Sequence, residues 1–453
     1  MRNHRWLRPL LGTVGVLVML SIPITVQAAG GPPPKLQQVS SDPFMNPGSQ
    51  PQSETEADTV AFGATVVAAF QAGRFFANGG SSAIGFATSK SAGASWTSGF
   101  LPGITIYTAP PGPFTRVTDP SVAFDAKHAT WLVSALACTP PDCLTGPDSI
   151  VVSRSADGLT WSSPVNTLPP AFYDHEWVAC DNAATSAFFG RCYVSVVGGG
   201  GILTVRTTDG GVTWSAPVVA SALFGPQSTV QPNGTLVVVG NGGAGIGSIR
   251  STDGGLTFGP VVSVSSDPFH HVTGMRALPT AAVQLDAAGK LYVYWSDCRF
   301  RAGCSANDIV YSTSMDAVTW SAVKRIPIDG LTSGVDHFIP GLGVDPATSG
   351  ATAHLALTYY YFPKAACTFP TPDTCELDLG FTSSSDGGLT WRHPHRLNKH
   401  PMDLAWLANT QIGHMVGDYL ATAFAAGHTV SVCALASAPV GGLLQEAMFA
   451  AVS

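Results

Sequence analysis

Charge is scarce in this chain: Asp, Glu, Lys and Arg make up only 11% of its 453 residues. The surface must therefore be covered largely by Ser, Thr, Gly and Asn. Several signatures are missing altogether. There is no G-x-S-x-G elbow, no H-E-x-x-H pair and no phosphate loop, so serine-elbow hydrolases, zincin-type proteases and P-loop enzymes lack their motifs. The Gly-rich GNGGAGIG (240–247) falls between two expected strands rather than between a strand and a helix, which excludes a nucleotide cradle. No cysteine pair is spaced C-x-x-C, which argues against zinc. Basic residues are in deficit. The net charge of −7 becomes −10 if residues 1–28 are removed with their three Arg and no acid, so nucleic acid is not an expected partner. What is abundant is Gly (49) and Pro (34), a composition for many short strands and turns rather than helices.

Residues 1–28 read as a secretory signal peptide. Arg2, Arg5 and Arg8 form a basic start, Leu10 to Leu20 is apolar, and Val26-Gln27-Ala28 offers a cleavage site. The rival reading, an uncleaved anchor, needs a longer apolar stretch. The expected mature chain is secreted, monomeric and free of the membrane. Eight of nine cysteines fall into close pairs, Cys138/Cys143, Cys180/Cys192, Cys298/Cys304 and Cys367/Cys375. Local disulfides in an oxidising compartment fit these spacings. Cys433 is left over in an apolar run, as a buried free thiol.

A phrase repeats along the chain: RTTDGGVTW (206–214), RSTDGGLTF (250–258) and SSSDGGLTW (383–391). Shorter forms are SRSADGLTW (153–161) and STSMDAVTW (312–320), and ATSKSAGASW (87–96) has Ser91 in the Asp place. A recurring turn means a repeat architecture. Asp and Ser side chains can bond their own backbone, Gly supplies positive φ, and the aromatic anchors the turn. The phrase resembles the Asp box of the sialidase (BNR repeat) superfamily, and the resemblance spans nearly the whole mature chain. It implies an all-β fold, a β-propeller of four-stranded blades, with the box as a fold device rather than an active site.

Residues 29–57 show no periodicity and read as a flexible Gly/Pro/Ser-rich linker. From 58 to 453 a four-strand register repeats over roughly 58–110, 115–170, 174–222, 225–265, 275–330, 335–398 and 412–453. That gives seven blades, with six as the alternative, and a ring closed by N- and C-terminal segments in one blade. Asp boxes and first-to-second turns share one face. Second-to-third loops and the lead-ins to first strands share the other.

That second face collects the candidate site residues. The lead-ins carry Arg116 and Asp119 (FTRVTDP), Asp174, His175 and Glu176 (YDHEW), and Arg276 (GMRALP). They continue with Asp336 and His337 (VDHF), and with Asp418 and Tyr419 (GDY). The long loop 296–308 adds Asp297, Arg299 and Arg301. Such a funnel suits a polar ligand, including an anionic one. Each member also has a structural reading: Asp119-Pro120 as a turn cap, His175 and His337 as backbone partners at the rim, Arg299 as a partner of Asp297.

The family resemblance implies an exo-α-sialidase-type glycoside hydrolase acting on terminal sugars. Such enzymes hold the sugar carboxylate with three Arg and attack with a Tyr activated by Glu. By position, Arg116, Arg276 and Arg299 would be the clamp, Tyr419 the nucleophile, Glu176 its partner and Asp119 the acid. Arg325-Ile326-Pro327 follows an Asp box, so its likeness to the family's Arg-Ile-Pro motif is coincidental. The alternative function is a non-catalytic propeller that binds glycan or protein on the same face. No cofactor or metal is required, although rim carboxylates leave calcium open. The histidines at 270, 271, 393, 395 and 400 match no metal spacing and read as solvated loops.

Overall fold

The computed structural model describes Met1 and residues 33–140, 142–220, 222–365, 367 and 375–453. The rest of the expected leader, Pro141, and most of the Cys367–Cys375 loop lie outside the described residues.

Antiparallel strands follow one another in sets of four. Glu54–Phe62, Thr65–Arg74, Ser81–Ser89 and Thr97–Phe100 make the first set. Arg116–Asp125, Thr130–Cys138, Asp148–Ser155 and Val165–Asn166 make the second. The pattern repeats in sets that begin at Tyr173, Phe224, Ala282 and His337. The last set begins at Thr422 and is completed by the N-terminal strand Lys35–Gln38, which pairs with Glu446–Val452. The segment expected as a flexible linker is therefore corrected. Its residues 35–38 form the outer strand of the closing set, and the first strand begins at Glu54 rather than 58. Polar, unperiodic sequence hid an edge strand that needs only one covered face.

The first strands touch in order around a circle, from 54–62 through 116–125, 173–180, 224–230, 282–285, 337–344 and 422–425, and back to 54–62. This closed circle of radial sheets is a β-propeller. Along its axis a cavity of about 400 Å³ is lined by first-strand residues such as Val60, Trp177, Val283 and Phe424. The apolar cores lie between neighbouring sheets. Leu132, Ile150 and Val152 of the second set pack on Val178, Val194 and Val205 of the third, each fully buried side chain contributing about 1.5–3 kcal/mol.

The Asp boxes make the turns expected of them. Oδ1 of Asp209 accepts from the backbone N–H of Val212 and Thr213, both at 3.0 Å, and Oδ2 accepts from the Thr213 hydroxyl at 2.6 Å. Ser251 and Asp253 repeat the pattern one set later. Gly255 has φ +80°, and a Cβ there would meet the Tyr193 ring at 2.8 Å, so the turn also seats one blade against the previous one. Asp209→Ala is expected to cost about 1–3 kcal/mol, because two backbone donors lose a charged acceptor. Urea unfolding checks this, and an unchanged midpoint would remove the structural role.

Four disulfides, Cys138–Cys143, Cys180–Cys192, Cys298–Cys304 and Cys367–Cys375, match the sequence pairs. Cys433 is free and buried, its thiol pushed up to about 12 by burial. No helix among the described residues is long and apolar enough to cross a membrane.

Candidate functional site

Five first strands start with a β-bulge, between Thr55 and Asp58, Thr118 and Ser121, Asp174 and Glu176, Phe224 and Gln227, and Phe338 and Gly341. Each bulge carries a residue with φ between 48° and 60°: Glu56, Asp119, His175, Gly225 and Ile339. Non-Gly residues hold this left-handed conformation at a cost, and such strain concentrates where side chains are aimed for a purpose. In the first three sets the bulged residue is titratable, so Glu56, Asp119 and His175 meet at one side of the channel mouth.

Two later segments complete the cluster. The lead-in to the fifth set is tied to a hairpin of Ala408–Thr410 and Gly413–Met415, with Arg276 N–H donating to His414 O at 2.7 Å. This fixes Arg276, whose Nε donates to both carboxylate oxygens of Asp418 at 2.8 and 3.1 Å while Nη2 donates to Oδ2. The Asp418 N–H donates to Glu56 Oε1 at 3.3 Å, and Gln71 Nε2 donates to Glu56 Oε2. Arg74 is buried beside them, its Nη1 donating to Gly80 O at 2.5 Å and its Nε to Met415 Sδ at 3.2 Å. Asp119 accepts from the Thr118 hydroxyl at 2.8 Å and from His175 N–H at 3.2 Å.

The fields within this cluster are strong because water is largely excluded. Burial, followed by the charges of Asp418 and Asp119, pushes the Glu56 carboxyl well above the carboxylate range. Burial and Asp119 do the same to Glu176, and raise Asp174. Burial would raise Asp418 too, but Arg276 more than offsets it and holds Asp418 below its ordinary value. Burial and the charge of Arg276 lower Arg74 to about 10. A cavity of about 290 Å³ opens above the cluster. Its charged lining is Arg74, Asp119, Asp174 and Arg276, and its outer rim includes the exposed Phe172, Leu144 and Ile412.

Seven of the residues singled out from sequence share this neighbourhood: Asp119, Asp174, His175, Glu176, Arg276, Asp418 and Tyr419. The Tyr419 ring lies edge-on to His175 and Trp177 at 5.6 and 5.4 Å. Its hydroxyl donates to Pro120 O at 2.8 Å rather than to Glu176, and burial holds it well above the usual phenol range. The other six stand in separate networks, Arg301 among them in its pairs with Asp308 and Asp329. Arg116 donates to Ala77 O and Gly79 O at 2.5 and 2.9 Å and stacks on Phe75. Arg299 is bound to Asp297 and Ser265, and Asp297 also accepts from Trp295 Nε1 at 2.9 Å. Asp336 accepts from His270 Nδ1 and from Asn307 N–H at 3.0 and 2.7 Å. His337 is buried against Tyr359 and Tyr361.

Glu56 and Arg74 were missed in the sequence. The signal for Glu56 was available: aligned on the bulge, Glu56-Ala57-Asp58 stands where Asp119-Pro120-Ser121 stands one set later. Elsewhere, Asp308, Asp329 and His337 offer ligand atoms within 4.8 Å of one another. Both carboxylates there already pair with Arg301 and Arg325, at 2.5 to 2.8 Å, so the group is charge-balanced by the chain itself. That pairing also gives Arg325 a structural task, as its place after an Asp box suggested.

No protein-family model matches the chain, and no curated protein matches it. Among solved structures it is similar to the Hadza microbial sialidase Hz136, with 17% identity and a TM-score of 0.45. That likeness covers 88% of this chain and 65% of the sialidase, so the chain spans just under two thirds of that relative's length. It is similar to YCF48 bound to D1 peptide, at 13% identity and TM-score 0.46, covering 94% and 97% of the two chains. It is also similar to the NanB sialidase of Streptococcus pneumoniae, at 12% identity and TM-score 0.42, covering 92% and 70%. At these identities the likeness concerns the fold, and any function must be argued from the site itself.

Proposed function

We propose that the protein is an extracytoplasmic glycan-acting propeller, a glycoside hydrolase whose sugar site is the channel-mouth cavity. One observation supports this most: Asp174 and Asp119 line the same cavity beside Arg276, and burial together with Asp119 raises the Asp174 carboxyl. A carboxyl that keeps its proton can donate it to a glycosidic oxygen. A neighbouring carboxylate can stabilise the positive charge that develops at the anomeric carbon. The four disulfides support a home outside the reducing cytosol.

The exo-sialidase version of this reading would need a free cationic clamp for a sugar carboxylate. Arg276 is matched by Asp418, and Arg116 and Arg299 are held by local partners. It would also need Tyr419 activated by Glu176, whereas the Tyr419 hydroxyl is engaged by Pro120. A neutral sugar needs neither device, so the site favours hydrolysis of uncharged glycosides.

The test is turnover of a panel of aryl α- and β-glycosides, a sialoside included, by the full chain. Asp174→Asn is expected to lower kcat by about 10²–10⁴-fold, the usual weight of a general acid, with little change in KM. Tyr419→Phe is expected to leave kcat nearly unchanged. Loss of activity in Tyr419→Phe, with turnover confined to the sialoside, would restore the sialidase mechanism. Glycan binding without any turnover would make the protein a non-catalytic lectin-like propeller.

A further inference from the structure

We propose that the apolar rim of the channel-mouth cavity is an aglycone site, and that the substrate is a neutral glycoside whose sugar is joined to an alkyl or aryl group. This rests on the glycan reading above and names its substrate class.

The ground is a set of large apolar side chains that the fold leaves uncovered around a charged floor. Phe76, Leu144, Phe172 and Ile412 all line the cavity and are between 47% and 60% exposed. They come from separate loops: after the second strands of the first two sets, ahead of the third set, and at the tip of the 408–415 hairpin. Hairpin tips and surface loops ordinarily take polar or turn-forming residues, so the folding of these loops does not call for apolar side chains. In the Asp boxes exposed apolar residues stand one to a turn, as Val212, Leu256 and Leu389 do, and such single residues are ordinary. A cluster that surrounds a cavity marks a binding surface.

The rim is also held in place. Asn78 N–H donates to Gln411 Oε1 at 3.0 Å, Asn78 Nδ2 to Asp142 Oδ2 at 2.7 Å, and Cys143 N–H to Asn78 O at 3.3 Å. These bonds tie together the loops that carry Phe76, Leu144 and Ile412. The Cys138–Cys143 disulfide closes the Leu144 loop, and Ala171, beside Phe172, exchanges two backbone bonds with Asp148. A surface already ordered binds without the entropy cost of ordering it.

The cavity itself says what covers the rim. Its volume of about 290 Å³ stands at the lower limit of ligand pockets, with room for roughly one sugar ring. Whatever that sugar carries must therefore lie across the rim. Phe172 stands two residues before Asp174, and both line the cavity. Asp174, as the acid, protonates the leaving oxygen, so the departing aglycone lies at that wall. There Asn78 and Gln411 use amide atoms to hold the loops, and Leu144 and Ile412 carry no hydrogen-bonding group for the hydroxyls of a second sugar. An alkyl or aryl group needs only apolar contact.

The test compares kcat/KM of the full chain on methyl and n-hexyl glycosides, α and β, of glucose, galactose, mannose and N-acetylglucosamine. A buried methylene is worth about fourfold. For the sugar that is turned over, the hexyl form is therefore expected to gain about 10–100-fold, mostly through KM. Phe172→Ser combined with Leu144→Ser is expected to erase most of that gain. Both side chains are exposed, so the urea midpoint should hold. Leu256→Ser, in an Asp box on the opposite face, is expected to keep the gain. Equal kcat/KM for the two forms would overturn the apolar aglycone while leaving the hydrolase reading in place. So would a gain that survives the rim substitutions, or faster turnover of a disaccharide of the same sugar than of its hexyl glycoside. A dimer that the rim substitutions break apart in sedimentation would instead give the rim to a second copy of the chain. Turnover of no glycoside by the folded protein would take down both this inference and the hydrolase reading.

Discussion

The melting temperature is expected to fall as pH rises from about 5 to about 8, the reverse of the behaviour of a protein held by ordinary salt bridges. The cause is a set of buried carboxyls. Burial raises Asp42 to about 6, Asp58 and Asp148 to about 7 and Glu54 to about 8, and it raises Glu446 well above its ordinary value. In the unfolded chain these groups ionise near their ordinary values, so across this window the native state holds more protons than the unfolded one. Their stabilisation is complete below the unfolded pKa and is lost as pH climbs through the folded one. For Glu54 the window runs from 4.5 to about 8, worth on the order of 3–5 kcal/mol. The opposite sign applies to the box aspartates. Hydrogen bonds led by the backbone of Thr160 and Thr319 hold Asp157 and Asp316 at about 2, so their contribution is lost only as pH drops toward that value. Stability should therefore peak in mildly acidic solution.

Glu54 is the member to test. Its Oε2 accepts from Met448 N–H at 2.9 Å and from the Ser40 hydroxyl, which holds the segment following the N-terminal strand onto the closing blade. Glu54→Gln keeps an acceptor for Met448 and removes the ionisable proton. Thermal scans from about pH 5 to about pH 8 should show a smaller drop for this variant than for the wild-type protein. A wild-type melting temperature that climbs over this range would show that the buried acids ionise freely in the folded state.

The same physics explains what was readable in the sequence. The Asp boxes could be read because their bonds are local: Asp209 binds donors three and four residues away, and that spacing is printed in the chain. The lead-in residues could be placed on one face because strand order fixes the face. What could not be read was competition for partners. Arg116 looked free until the 77–79 loop supplied two carbonyls from the neighbouring blade. Arg299 had its partner two residues away in Asp297, and that structural reading describes its place. Arg74 sits inside a second strand and looks like any residue of a sheet interior. Only the closed ring brings it to Arg276, some two hundred residues on. Glu56 was lost because its strand follows a stretch with the composition of a linker.

Arg276→Met is expected to destabilise the protein by about 3–5 kcal/mol, the cost of stranding one member of a buried ion pair. Asp418 is only 6% exposed, and without the guanidinium its carboxylate would face Glu56 and Asp119 with only the buried Arg74 as a nearby positive charge. The loss should be pH-dependent: Asp418, now held below its ordinary pKa by Arg276, would shift upward, so the deficit should shrink as pH falls and the stranded carboxylate takes a proton. Pairing the change with Asp418→Leu should recover most of the stability, since two apolar side chains can replace a buried pair at little net cost. Urea unfolding of the four members of this cycle measures the coupling directly, and additive losses would show that the pair contributes no interaction of its own. Glycan turnover then separates fold from site. Arg276 and Asp418 fix the wall of the cavity between the hairpin at 408–415 and the first blade, so the double variant should be folded and inactive. A double variant that is both stable and active would show that this wall takes no part in holding the substrate.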